Sequence, residues 1–232
     1  MSPHRQLDEY PQEVSNAMIQ ILFENADIVA VNKPEGLAAI PERRPETASL
    51  FQMLCAERNE RLYIVHRLDK ETSGVIVFAR NAQAHRWLNQ QFEARAVRKK
   101  YVALTHGVIP DDRGVIDKPL RQFGSGRVAV DAEKGKNSLT SFLVVQRFSE
   151  HTLVEVYPHT GRRHQIRVHL YDIGHPVVGD PLYGPITANL SLSRMLLHAL
   201  KLTLNLPSGR EISVEAPAPE SFAAFLGTLK RR

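Results

Sequence analysis

A chain of 232 residues, 43% hydrophobic and 24% charged, suits one large folded domain or two small ones. No apolar run approaches the roughly 18 residues that cross a bilayer, and the polar stretch Met1 to Asn16 lacks the apolar centre of a secretory leader. A single cysteine, Cys55, excludes an internal disulfide or a thiolate metal cluster and fits a reducing cytoplasm, while a net charge of +5 points to a polyanionic partner.

Residues 1–17 read as an arm, with a folded domain expected over 18–232. Ile21–Glu24 and Ile28–Asn32 read as strands, followed by a turn at Lys33-Pro34-Glu35-Gly36. Thr47 is placed to cap a short helix ending near Glu57. Leu62–Val65 and Val75–Ala79 are expected strands on either side of a polar loop centred on Asp69. Asn81 caps a helix to about Ala94, with Ala84, Leu88 and Phe92 spaced for one buried face.

Tyr101–Gly107 and Thr140–Gln146 read as strands, with a polar loop over Gly124–Lys136 between them. Thr152–Tyr157 alternates as a half-buried strand does. His164–Asp172 reads as a helix, Ile166, Leu170 and Ile173 lying at helical spacing and Gly174 stopping it. Leu200–Leu206 and Glu211–Glu215 flank Pro207-Ser208-Gly209-Arg210, a hairpin signal, and a last helix is expected over Ser221–Leu229. Hairpin-grouped strands with interspersed helices and no strong linker predict a single α+β domain with a largely antiparallel mixed sheet flanked by helices.

Chemistry concentrates in Val65-His66-Arg67-Leu68-Asp69-Lys70-Glu71-Thr72-Ser73-Gly74, where Asp69 stands between Arg67 and Lys70 at the lip of a core strand. A lone acid among cations suits a nucleophile or base, because nearby positive charge favours the ionised form; an ion-paired turn is the ordinary alternative. Arg67 lies two residues before Asp69, so an extended backbone turns both side chains to one side. His66, ending an apolar strand, reads as a satisfied core residue. The Arg95-to-Lys100 run and the Arg162-Arg163 pair are candidate phosphate contacts, and the usual meaning of such runs is a solvated face.

His66-Arg67-Leu68-Asp69 with Thr72-Ser73-Gly74 resembles the signature of the RluA-type pseudouridine synthases. Arg98-Lys99-Lys100-Tyr101-Val102-Ala103-Leu104, the stretch His159 to His169, the stretch Gly174 to Gly184, and Leu196-Leu197-His198-Ala199 agree with that family in type and order. The resemblance runs from about Ile21 to the C-terminus and is greatest to members without an N-terminal RNA-binding module. It implies a synthase that detaches uracil from ribose, turns it and rejoins it through carbon, an isomerisation that needs no cofactor and no metal. It implies Asp69 as the essential carboxylate, Arg167 as its ionic partner, and Tyr101 against the target base, assisting a late proton transfer. Ile166 and Leu197 match positions that wall the uracil pocket. Arg67 matches a residue that contacts RNA and occupies the space of the extruded nucleotide, and Arg98, Lys99, Lys100, Arg162 and Arg163 are candidates for further RNA contact. The implied partner is a stem-loop of ribosomal or transfer RNA, met by a monomer in the cytoplasm. The loop Gly124-Ser125-Gly126-Arg127 is a candidate variable contact.

Three other readings compete. A metal hydrolase would use His159, His164, His169 and His175, whose spacings of five and six do not stack on one helical face. A glycosidase would pair Asp69 with Glu71 as two cooperating carboxylates. A non-catalytic RNA-binding protein on a synthase-like scaffold would have no chemical need for Asp69, Tyr101 and Arg167 together.

Overall fold

The computed structural model describes residues 19–42, 48–185 and 194–232. The expected arm over 1–17 and the expected cap Thr47 lie outside them. Among the described residues the first half runs β1 (Ile21–Glu24), β2 (Ile28–Lys33), α1 (Leu50–Arg58), β3 (Tyr63–Ile64), β4 (Ser73–Ala79), α2 (Ala82–Glu93) and β5 (Arg98–His106). The second half runs β6 (Arg113–Asp117), β7 (Leu120–Gln122), β8 (Val128–Val130), β9 (Leu139–Arg147), β10 (His151–Pro158), α3 (Gln165–Asp172), β11 (Leu197–Asn205), β12 (Glu211–Glu215) and α4 (Glu220–Gly227).

Ten of these strands form one sheet along the path β1-β2-β4-β11-β5-β10-β9-β6, with β3 added to β4 and β12 to β11; β7 and β8 pair apart. Pairing is antiparallel except between β4 and β11, where Ser73 meets His198 and Gly74 meets Ala199. β4 is buried on both faces, so period-2 alternation gives it two sets of partners. Val75, Val77 and Ala79 pack with Ala84 and Leu88 of α2, whereas Ile76 and Phe78 pack with Leu50 and Leu54 of α1. At the parallel junction Gly74 adopts φ +115, and a Cβ there would sit 2.2 Å from the Ala199 carbonyl oxygen. Only glycine fits, and the Asp69 loop is thereby delivered to the middle of the sheet.

α3 is buried from Gln165 through Leu170. Ile166 and Leu170 pack on Ala103, Val154 and Val156 of the sheet, while Val168 packs with Leu120, Val128 and Tyr183 beneath the β7–β8 hairpin. Phe222 of α4 joins Leu104, Phe148 and Leu196 in a further cluster. No described helix is long and apolar enough to cross a membrane.

The α+β architecture with a largely antiparallel sheet agrees with the sequence reading, and several boundaries move. α1 is capped by Ser49, whose side chain accepts from the Gln52 amide while the Gln52 side chain accepts from the Ser49 backbone N–H, a capping box. β5 begins at Arg98 rather than Tyr101, and β11 at Leu197 rather than Leu200. The expected polar loop over Gly124–Lys136 contains β8, paired with β7, and β6 was not expected at all. Ile116 is the one buried residue of β6, so this strand carries no apolar pattern to read.

Candidate active site

The segment between β3 and β4 is fixed at several points. Leu68 is buried in the core against α1, the Thr72 amide donates to the Asp69 carbonyl (3.1 Å), and the buried Lys33 ammonium donates to the Lys70 carbonyl (3.0 Å). His66 accepts from the Val77 amide (3.0 Å) and stacks on Phe92 of α2. Burial, helped by the charge of Lys99, pushes its imidazole down to about 3, so it stays neutral. The core reading of His66 therefore fits this packing.

Arg167 leaves α3 with a side chain only 1% exposed, unlike an ordinary solvated helical arginine. Its Nε and Nη2 donate to the two oxygens of buried Asp180 (2.7 and 2.8 Å), a bidentate pair. Its Nη1 donates to Oδ2 of Asp69 (3.3 Å) and to Glu71 (3.4 Å). Burial opposes the charge, but the Asp180 bonds and the nearby carboxylates outweigh it and push the guanidinium above its ordinary range. Asp180 also accepts from the Leu182 and Tyr183 amides, which locks the clamp into the loop after α3. No described group donates a hydrogen bond to Oδ1 of Asp69, which lines a cleft of about 520 Å³.

Tyr101, Ile166, Arg167 and Leu197 line the same cleft, so residues from three separate stretches of the chain converge there with Asp69. Tyr101 comes from β5, Ile166 from the first turn of α3, and Leu197 from the first residue of β11. Burial, with Asp69 adding its charge, pushes the Tyr101 hydroxyl above its ordinary range, keeping it protonated. Arg67 is exposed at the mouth, and Arg162 also reaches the lining. The basic run on β5 divides. Lys99 turns into the cleft and donates to the Thr160 carbonyl (3.1 Å), and burial together with Arg95 pushes its amine down to about 8. Arg98 and Lys100 lie on the opposite strand face, paired with Glu211 and Glu155. Arg163 points away, toward Gly126 at the hairpin tip.

Sequence reasoning missed the burial of Asp180 behind Arg167 and the pairing of buried His164 with Tyr183. Asp180-Pro181 reads as a turn, and nothing in it signals a fully buried carboxylate. The four histidines weighed as ligands take different partners: His159 bonds Ser141, His164 bonds Tyr183, His169 bonds Thr140, and His175 bonds the His106 carbonyl.

An apolar-walled cleft with an aromatic side, one carboxylate oxygen free of donors and a cationic rim suits a flat, uncharged ring attached to a polyanion. The family profile described as RNA pseudouridylate synthase matches residues 27–172. The chain belongs to that family. This pseudouridine synthase is 38% identical over 223 residues to "Uncharacterized RNA pseudouridine synthase YlyB" of Bacillus subtilis, covering 92% of the chain and 73% of the relative. It is 40% identical over 195 residues to "Dual-specificity RNA pseudouridine synthase RluA" of Vibrio vulnificus, covering 81% and 78%. With "Ribosomal large subunit pseudouridine synthase D" of Nitrosomonas europaea it shares 37% over 226 residues, 91% of the chain and 65% of that protein. Among solved structures, "Human RNA Pseudouridylate Synthase Domain Containing 1" superposes with a TM-score of 0.79 at 29% identity, covering 97% of the chain and 92% of the human one. The synthase is thus an isomerase acting on RNA, as the five sequence segments led one to expect, and the hydrolytic and binding-only readings fall away.

Proposed function

We propose that Asp69 is the essential carboxylate of uridine isomerisation, with Arg167 as its ionic partner and the uracil held among Tyr101, Ile166 and Leu197. One observation carries this reading. Asp69 lines the cleft with one oxygen held by a buried guanidinium and the other free of donors. Glu71 shares that guanidinium but does not line the cleft, and exposed Glu93 lines the rim without a cation among the described residues.

Isomerisation breaks the N1–C1′ bond and joins C5 to C1′ while the base stays bound. The apolar walls keep the detached uracil from water, and stacking on Tyr101 is worth roughly 1–3 kcal/mol. Extruding the nucleotide costs a few kcal/mol, less in a loop than in a duplex. Arg67 at the mouth offsets part of this by stacking and by contacting phosphate. Lys99 and Arg162 extend the cationic rim along the backbone. The target is a ribosomal or transfer RNA stem-loop, and the name of one relative, a ribosomal large subunit synthase, supports the ribosomal part of that reading. The enzyme acts as a monomer in the cytoplasm, and residues 18–232 form its catalytic unit.

Asp69→Asn keeps the size of the side chain and removes its charge. It should bind RNA, fold normally and make no pseudouridine. Mapping pseudouridine across the transcriptome of cells lacking the protein, complemented with either form, would reveal the target. Sites restored equally by both forms would refute the role of Asp69.

A further inference from the structure

We propose that His164 is the proton acceptor working behind Asp69 in the isomerisation, an inference that rests on Asp69 being the reacting carboxylate. His164 precedes α3 in the left-handed region (φ 52, ψ 20), yet makes no side-chain capping bond. A non-glycine residue adopts that conformation at a cost, and such strain tends to mark functional positions. Helix capping does not account for it here, so another constraint must hold the residue.

That constraint is the ring's position. Nδ1 lies 2.9 Å from the Tyr183 hydroxyl, whose oxygen also accepts from the Val128 amide (3.0 Å). Arg163 Nε donates to Nε2 (3.3 Å), so the neutral ring carries its proton on Nδ1, and its Nε2 lone pair is engaged in a long bond that an incoming proton must displace. Nε2 is 4.0 Å from Oδ1 of Asp69, the oxygen that no described group bonds. Two acceptors therefore face each other across the cleft wall, and a proton gained by one is shared with the other. Hydrogen bonds used in catalysis are often long before substrate binds.

Charged and titratable groups surround the ring on every side. Asp69 and Glu71 come from the loop before β4, Arg167 from α3, Arg163 from the preceding residue, and Tyr183 from the loop after α3, with Arg127 of the hairpin over the Tyr183 ring. Burial, joined by Arg167 and Arg163 and opposed by Asp69 and Glu71, holds the imidazole below the ordinary histidine range. It is neutral near pH 7.

The step balances. Once C5 is joined to C1′, the C5–H bond breaks and its electron pair becomes the C5–C6 double bond. The proton passes to Oδ1 of Asp69 and on to Nε2 of His164, whose bond from Arg163 Nε breaks as it arrives. The C6–N1 π pair returns to N1, which takes a proton from water, and the imidazolium releases its proton to water.

The test uses RNA purified from cells lacking the protein, with pseudouridine measured under excess enzyme across pH. His164→Asn suits it, because asparagine tolerates the left-handed backbone and cannot take up the proton. The single-turnover rate should fall at least about 100-fold, apparent RNA affinity should change less than about 3-fold, and the acid limb of the wild-type pH profile should flatten. A folded variant with the wild-type rate and limb overturns the proposal, as does a loss confined to affinity. If His164→Asn does not fold, Tyr183→Phe releases Nδ1 while keeping the ring; its acid limb should shift, and an unmoved limb overturns the proposal. Asp69→Asn in the same assay separates the two readings. Activity there sinks both, whereas an inactive Asp69→Asn beside a fully active His164→Asn sinks only this one.

Discussion

Arg167 divides its donors unequally among three carboxylates, and the inequality sets what each partner does. Asp180 takes two short bonds from a position with no solvent exposure, while Asp69 and Glu71 share the remaining nitrogen at longer range. Breaking a buried pair on one side strands the other charge, at a cost of about 3–5 kcal/mol. Asp180→Asn should therefore lower unfolding free energy by about that amount in urea titrations. Because the guanidinium also loses its anchor, turnover should fall more than RNA affinity. Glu71→Gln is the contrast: its side chain is 35% exposed, and an ion pair that wet contributes under about 1 kcal/mol. Equal effects from the two substitutions would mean that Asp180 does not position Arg167.

At the level of elements, β5 shows how alternation sorts a basic run. Lys99 shares a face with Tyr101 inside the cleft, whereas Arg98 and Lys100 are engaged by carboxylates on the other side. Lys99→Met, which keeps most of the stem, should weaken RNA binding and reduce the log–log salt slope by about 0.7–0.9; Arg98→Ala and Lys100→Ala should leave the slope unchanged. The Lys99 amine titrates at about 8, so its charge disappears as pH rises through that value. Wild-type affinity, read by fluorescence anisotropy, should fall between pH 7 and 9, and the Lys99→Met curve should be flatter. What the sequence disclosed follows the same physics. β4, the alternating β10, the β11–β12 hairpin and the Asn81-capped α2 carry apolar patterns or turn residues strong enough to read. β6 and the β7–β8 hairpin bury too few side chains to leave a pattern. That Asp69, Tyr101 and Arg167 share one cleft could be expected only from the family's motifs, because periodicity alone brings none of them together. The Asp180 clamp and the strained His164 depend on three-dimensional burial and a single backbone angle, neither of which has a local sequence signature.

At the scale of the whole fold, six histidines among the described residues are held below their ordinary range, and burial is the leading cause for each. They are spread through the fold. His66 stacks on α2, His106 faces His151 beside Phe225 of α4, His164 and His169 flank and occupy α3, and His198 bonds Ser73 at the β4–β11 junction. The sign of the linkage follows from the depressed values. The unfolded chain takes up protons near pH 6.5 while the folded chain does not, so stability is complete above that pH and is lost as pH falls toward the folded values. For His66 the window extends from about 6.5 down to about 3. Each histidine fully engaged in this way contributes a slope of about 1.4 kcal/mol per pH unit. Because no single element holds them all, the loss should appear as one cooperative transition rather than as the detachment of one helix. Urea midpoints should drop steadily from pH 6.5 to 5, above the range in which carboxylates such as Glu60 titrate. His66→Gln should still accept from the Val77 amide and should reduce that slope by about one proton's share. A wild-type midpoint that stays level from pH 7 to 5 would mean that the interior accommodates imidazolium, and the neutral lone pair assigned to His164 would then lose its physical basis.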